Sequence, residues 1–326
     1  MRRNLNNILQ RSVPFFATLL LLFSLQFVSA QKFVIPVLPD TQNEISGDPT
    51  MFTSQMNWIA NNRTKLNIPI VLHVGDIINW QTPDQIMWKT ASKGFRILDS
   101  VHIPYALALG NHDCAAVKVG GSAAPGDVHA NLRDTRQFNE FFPVSRFTAQ
   151  KGRYDDSKSD NAWYTFNAGG HKWLVLTLEF CARQGPVDWA NTVLSANPDY
   201  NAIIVTHFHL TSKGEINQNN AGYGDLTCQA VYDQMIKIHP NVCMVLSGHT
   251  DSTAWRDDVG TNGNHIYQML QDYQGMNKGG GFIRLVEIDT KKGTISASMY
   301  SPFTNQIKTD FSQFSFSNVK FIRGEK

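Results

Sequence analysis

The sequence predicts an α/β protein, a four-layer α-β-β-α sandwich of two packed mixed β-sheets flanked by helices. Three observations point there. From Gln31 onward, short apolar runs alternate with polar turns and stretches of helical spacing. Most of these runs are continuously apolar, as strands buried on both faces are. Near the C-terminus the runs change to alternating apolar and polar residues, the mark of antiparallel strands.

Lys32–Leu38 (KFVIPVL) reads as the first strand. Thr50–Leu66 follows with helical spacing, Met51, Trp58 and Ile59 among its apolar positions. Ile70–Val74 (IVLHV) is a second strand, Pro83–Val101 a second helix and Tyr105–Leu109 (YALAL) a third strand. Cys114–Asp160 is rich in Gly, Asp and Arg and shows little periodicity. A loop of that length inside a compact domain is as a rule functional or mobile. Strands resume at His171–Leu178, Ala202–Val205 and Val242–Leu246, separated by helical stretches near Val187–Ala196 and Thr227–Ile238. Phe282–Asp289, Gly293–Tyr300 and Asp310–Ser317 are expected to form the second sheet, packed against the first. No repeat, coiled coil or long linker interrupts the pattern, so residues 31–326 read as one domain.

Residues 1–30 read as a signal peptide. Arg2, Arg3 and Arg11 precede an apolar run from Pro14 to Val28, and Val28-Ser29-Ala30 offers a cleavage site before Gln31. The run is shorter than the roughly 20 apolar residues of a spanning helix, so no stable membrane anchor is expected. The predicted location is outside the cell or in the periplasm. Losing three Arg and no acid lowers 29 basic residues to 26 against 27 acidic, a net charge near −1 instead of +2. No basic run would track a nucleic-acid backbone, so nucleic acid is not an expected partner. A small phosphorylated substrate stays compatible with this balance. Of four cysteines, Cys243 falls inside an apolar strand and reads as a buried thiol. One disulfide is expected among Cys114, Cys181 and Cys228.

The strongest chemical signal is positional. Five predicted strands each end in a residue able to hold a metal: Asp40, Asp76, Asn111, His207 and His249. In an open α/β sheet, ligands bind beyond the strand C-termini. Asp40-Thr41-Gln42, His207-Phe208-His209 and His249-Thr250-Asp251 pair polar residues two apart, which an extended backbone would point the same way. Gly75 and Gly110 permit tight turns just before Asp76 and Asn111.

These residues resemble the signature of the calcineurin-like metallophosphoesterases. The matching segments are Asp40-Thr41-Gln42, Gly75-Asp76-Ile77-Ile78-Asn79, Gly110-Asn111-His112-Asp113, His207 and Gly248-His249-Thr250-Asp251. The resemblance implies a hydrolase of phosphomonoesters or phosphodiesters acting through two divalent metal ions and the hydroxide between them, and residues 1–30 make it a secreted one. It implies that Asp76 bridges the metals, that Asn111, His207 and His249 complete one site, and that Asp40 and Gln42 hold the other. His112 would protonate the leaving oxygen, Asp113 would orient its imidazole, and Asn79 would hold a metal ligand in place.

Two positions depart from the family pattern. Gln42 and Asp251 stand where the family has His, and both fall on one site. That site is oxygen-rich and suits Mn, Mg or Ca, whereas the site with two His accepts Zn, Fe or Mn. The same departures keep a second reading open, a pseudoenzyme or binding module with one metal or none. Glu179 and Arg183 are further candidates for the rim, Glu179 as a supporting carboxylate and Arg183 as a phosphate contact. His209 reads as a loop residue or substrate contact. Asp272 reads as a substrate contact, and Tyr273 as aromatic packing.

Overall fold

The computed structural model describes residues 31–220 and 222–323. The signal peptide read at residues 1–30 lies outside the described residues. In chain order the elements are β1 (Lys32–Leu38), α1 (Gln42–Gly47), α2 (Pro49–Asn62), β2 (Val71–His73), α3 (Ile86–Ser100), β3 (Tyr105–Leu107), α4 (Val128–Arg133) and α5 (Arg136–Phe141). There follow β4 (Gln150–Arg153), β5 (Ala162–Ala168), β6 (His171–Leu178), α6 (Gln184–Ala196), β7 (Asn201–Thr206), α7 (Cys228–Val231), β8 (Val242–Ser247), β9 (Thr253–Val259) and β10 (His265–Gln271). The chain closes with β11 (Ile283–Asp289), β12 (Thr294–Ser301), β13 (Gln306–Lys308) and β14 (Phe314–Phe316).

Two seven-stranded mixed sheets form the centre. The first runs β13-β12-β11-β1-β2-β3, with β14 also on β12, and the second runs β4-β5-β6-β7-β8-β10-β9. The strand grouping differs from the sequence expectation. The C-terminal strands do not make a sheet of their own, because β11 pairs antiparallel with β1 while β2 and β3 pair parallel on its other side. The later parallel strands β6, β7, β8 and β10 build the second sheet instead. Pro36 is tolerated in β1 because β2 registers only with Val37 and Leu38, so no ladder bond is lost on that side.

Side-chain alternation sorts the four layers. In the second sheet Val175, Ile203, Val205 and Met244 face the first sheet, together with Phe33, Val37 and Ile283. Their neighbours Leu174, Leu176, Ile204 and Val245 face Val187, Ala190 and Leu194 of α6. Phe52, Met56 and Ile59 of α2 and Trp88 and Phe95 of α3 cover the first sheet. Helix α2 starts at Pro49 because Asp48 Oδ1 accepts the Thr50 N–H (3.1 Å) and proline suits the first helical position. The 227–238 stretch is a single turn, α7, capped by Thr227 Oγ1 (3.0 Å from Ala230 N), running into a π-helical turn at Tyr232–Ile236.

The 114–160 segment is more structured than its periodicity suggested: it carries α4, α5 and β4 and buries Phe138, Phe142 and Phe147. Asp310–Ser317 is not one strand, since Asp310 Oδ1 accepts the Ser312 N–H (2.9 Å) and turns the chain before β14. The four cysteines are all free and buried, so the expected disulfide is not formed. The Cys114, Cys181 and Cys228 thiols lie instead against the Asn111, Asn220 and Phe208 carbonyls. Among the described residues no helix is long and apolar enough to cross a membrane.

Candidate metal centre

The five strand-end residues stand beyond β1, β2, β3, β7 and β8; Asp40, Asp76, Asn111 and His207 are buried and His249 is half-buried, and Asp40, Asp76, His207 and His249 meet in one cluster. The chain leaves β2 through Gly75 (φ 105°) and Asp76 (φ 52°), a left-handed pair that swings the Asp76 carboxylate back over the strand ends. Beneath this turn His73 accepts the Gly75 N–H (3.1 Å) on Nδ1, which makes Nε2 the donor to Thr41 Oγ1 (2.9 Å). Thr41 Oγ1 passes its own proton to the Ile77 carbonyl (3.1 Å). The first two ligand loops are thereby locked together. Neither His73 nor Thr41 stood out in the sequence, because both resemble ordinary strand-end residues.

His207 donates from Nδ1 to the Val74 carbonyl (3.0 Å), so its Nε2 faces the cluster. That nitrogen lies 3.2 Å from Asp76 Oδ2, 3.9 Å from Asp40 Oδ2 and 3.1 Å from His249 Nδ1. One ligand atom from each of Asp76, His207 and His249 falls within 4.8 Å of the other two. Gln42 Nε2 donates to Asp76 Oδ2 (3.1 Å), the His112 N–H to Asp76 Oδ1 (3.0 Å), and the His249 N–H to Asp40 Oδ2 (3.0 Å). The Phe180 ring packs against His207 and His249, with centroids 5.6 and 5.1 Å away.

Three oxygens of these residues, Asp40 Oδ1, Gln42 Oε1 and Asn111 Oδ1, are buried without a hydrogen-bond partner. Orphaned acceptors of this kind are costly unless a cation takes them up. The charges agree. Burial, then the Asp272 and Asp76 carboxylates, push Asp40 well above the usual carboxylate range. Burial opposes Asp76 as well, yet His207 and His112 hold it below that range. Burial and the His207 charge lower His249 to about 3, leaving it a neutral donor nitrogen. The oxygens and imidazoles thus fit divalent cations.

Several predicted residues sit differently. Asp251 lies apart from the cluster: its N–H donates to Asp272 Oδ2 (2.6 Å) and its Oδ1 accepts the Gly275 N–H (2.9 Å). His249 (φ 73°) and Asp251 (φ 38°) are both left-handed, so the two-residue rule for an extended chain does not hold there. Asp113 does not touch the His112 ring. Its Oδ1 accepts the Ile77 and Ile78 N–H groups (2.8 and 3.1 Å) and its Oδ2 that of Gly110 (2.9 Å), pinning both ligand turns. Burial and Asp76 raise Asp113 to about 7. The His112 ring is oriented instead by the Asn79 carbonyl at Nδ1. The Asn79 side chain donates to Asn43 (2.9 Å) and Ser46 (3.1 Å), and so holds no metal ligand directly.

His209 is neither loop-exposed nor at the centre; it is buried with Nε2 2.6 Å from Gln268 Oε1. Glu179 is buried and paired with Arg183 (2.9 Å) and Arg133 (3.2 Å), which commits the Arg183 guanidinium to protein contacts. Asp272 supports the Asp251 and Gln274 N–H groups (2.6 and 3.1 Å), and Tyr273 is buried on Arg284. Sequence reasoning passed over Tyr223, whose hydroxyl accepts from Asn111 Nδ2 (3.2 Å). The only signal was the Gly222-Tyr223-Gly224 triplet in a polar loop.

A family model described as calcineurin-like phosphoesterase matches residues 37–252. The uncharacterized protein YvnB of Bacillus subtilis (strain 168) is 31% identical over 275 residues, 82% of this chain and 20% of that protein. The chain therefore spans about a fifth of the length of this relative. In fold it is similar to the crystal structure of a dimetal phosphatase from Danio rerio, with TM-score 0.55 and 11% identity over 87% of this chain and 98% of that one.

Proposed function

The chain belongs to the calcineurin-like phosphoesterase family, and on that premise we propose that it is an exported hydrolase of small phosphomonoesters or phosphodiesters. The observation that supports this reading best is the meeting of Asp76, His207 and His249 beside the orphaned oxygens of Asp40, Gln42 and Asn111. Asn111, His207, His249 and Asp76 would hold one cation; Asp40, Gln42 and Asp76 would hold the other. When bound, two divalent cations supply the charge that activates water and neutralises phosphoryl oxygens. The Asp40, Gln42 and Asp76 set is oxygen-only and suits Mn, Mg or Ca, while the set with His207 and His249 accepts Mn, Fe or Zn.

The chain's own chemistry centres on His112. Its Nδ1–H is given to the Asn79 carbonyl and its N–H to Asp76, so ring and backbone are both fixed. Nε2 is then the atom from which a proton would pass to the departing ester oxygen. Export is supported by the charged start and apolar run of residues 2–28.

The test is metal content with turnover. Wild-type protein and Asp76→Ala are purified and assayed on an aryl phosphomonoester and an aryl phosphodiester, with Mn²⁺ and after chelation. Near two metals per chain, with chelator-sensitive activity lost in Asp76→Ala, is the expected result, and the better substrate fixes the ester class. Asp251 turned away leaves the oxygen-only site with three protein ligands, Asp40, Gln42 and Asp76. One metal or none, with no turnover on either ester, would therefore replace the hydrolase with a binding module.

A further inference from the structure

We infer that Tyr223 contacts the substrate's phosphoryl group, its phenol O–H donating to a phosphoryl oxygen. The inference rests on the hydrolase reading and deepens it by naming a group that binds the reacting phosphate.

Tyr223 stands in the irregular connection between β7 and α7, flanked by Gly222 (φ 82°) and Gly224 (φ 86°). Those two left-handed residues, which glycine adopts without strain, turn the loop so that the ring between them faces the centre. The base of the loop is fastened. Asn220 Nδ2 donates to the Asp225 carbonyl (3.1 Å), the Leu226 N–H to the Ala182 carbonyl (3.2 Å), and Arg133 pairs with Asp225 (2.6 Å). The ring meets Phe180 edge-on, centroids 4.7 Å apart at 86°, and the same Phe180 lies against His207 and His249.

The hydroxyl is the informative atom. It accepts the Asn111 amide N–H (3.2 Å), which leaves Asn111 Oδ1 as the free, orphaned oxygen of that residue. The bond occupies a lone pair of the phenol oxygen and not its proton. Among the described residues that proton has no recorded acceptor. A half-buried neutral donor fixed beside the ligands of a phosphate-ester site faces an acceptor-rich group, the phosphoryl oxygens.

The experiment titrates inorganic phosphate into metal-loaded wild-type protein and Tyr223→Phe by calorimetry. Metal per chain, unfolding midpoint and kcat/KM on the aryl phosphomonoester are recorded for both. Phenylalanine keeps the packing on Phe180 and removes only the hydroxyl. The expected result is unchanged metal content and midpoint, with phosphate affinity and kcat/KM each reduced roughly 10- to 100-fold, as for one hydrogen bond to a charged group. Phosphate affinity indistinguishable from wild type overturns the inference. Loss of metal from the variant overturns it too, since the phenol would then serve only Asn111. Wild-type protein without turnover on either ester fails the hydrolase reading alone, because the phosphate titration still decides Tyr223. Wild-type protein that binds no phosphate overturns the inference.

Discussion

Gly248 offers a way to disable one half of the centre while sparing the other. Its backbone lies in the region open to any residue, so conformational strain plays no part. A Cβ there would stand 2.0 Å from Asp40 Oδ1 and 2.8 Å from Val74 Cγ2. Ordinary contact starts at 3.4 Å, so the carboxylate must retreat by more than an ångström. Metal–ligand distances tolerate only about 0.2 Å, which makes such a retreat equivalent to losing the ligand. Gly248→Ala should therefore fold, destabilised by about 1–3 kcal/mol from overpacking. It should carry near one metal per chain instead of near two. Turnover should fall by roughly 100-fold or more, the scale of an ångström-sized misplacement. Elemental analysis after gel filtration reads the stoichiometry, and urea denaturation reads the stability. Gly47→Ala is the control, since the atoms nearest its Cβ would all belong to the flexible Lys278 side chain. Full metal content with wild-type turnover in Gly248→Ala would refute the assignment of Asp40 Oδ1 as a metal-facing atom.

Two further predictions concern groups outside the centre. Burial pushes His209 down to about 4, so the folded protein refuses a proton that the unfolded chain accepts near 6.5. Its contribution to stability is complete above pH 6.5 and fades as pH falls toward 4, by about 2 kcal/mol at pH 5. His209→Gln should remove that much acid sensitivity in urea denaturation between pH 7 and 5; curves that stay parallel to wild type would contradict it. Arg133→Met leaves the buried Glu179 with the Arg183 guanidinium and the Asn161 amide, and Asp225 with His129 at 3.5 Å. The cost should be roughly 3 kcal/mol, the low end for breaking a buried pair. A loss below about 1 kcal/mol would mean that the network behaves as a surface one.

The ligand positions were legible because a strand end is a local event: an apolar run stops, the chain turns (through a glycine before Asp76, Asn111 and His249), and the next polar residue faces the crevice. That logic located Asp40, Asp76, Asn111, His207 and His249 without any knowledge of which strands are neighbours. The failures share a cause. Asp251 and His209 were placed by the period of an extended chain, but the backbone after β8 is left-handed and His209 turns into a separate pocket with Gln268. Asp113 was read from its neighbour in sequence, although its acceptors serve the turn at Ile77 and Ile78. Tyr223 and Phe180 act through packing across the loops, and nothing in their immediate sequence encodes that. Strand partners were equally hidden, since the apolar faces of β1 and β6 look alike until β11 pairs with one of them.

The pairing of β1 with β11, Lys32 opposite Asp289, also bears on how the molecule matures. The first described strand stays unflanked on one side until a strand from near the other end arrives, and contacts so distant along the chain form slowly. Asp40 rides on that strand, while His249 follows β8 of the opposite sheet. The centre thus joins backbone and carboxylate 209 residues apart in the chain. Until β11 arrives, the open flank of β1 would be an unpaired edge on which another chain could add a strand.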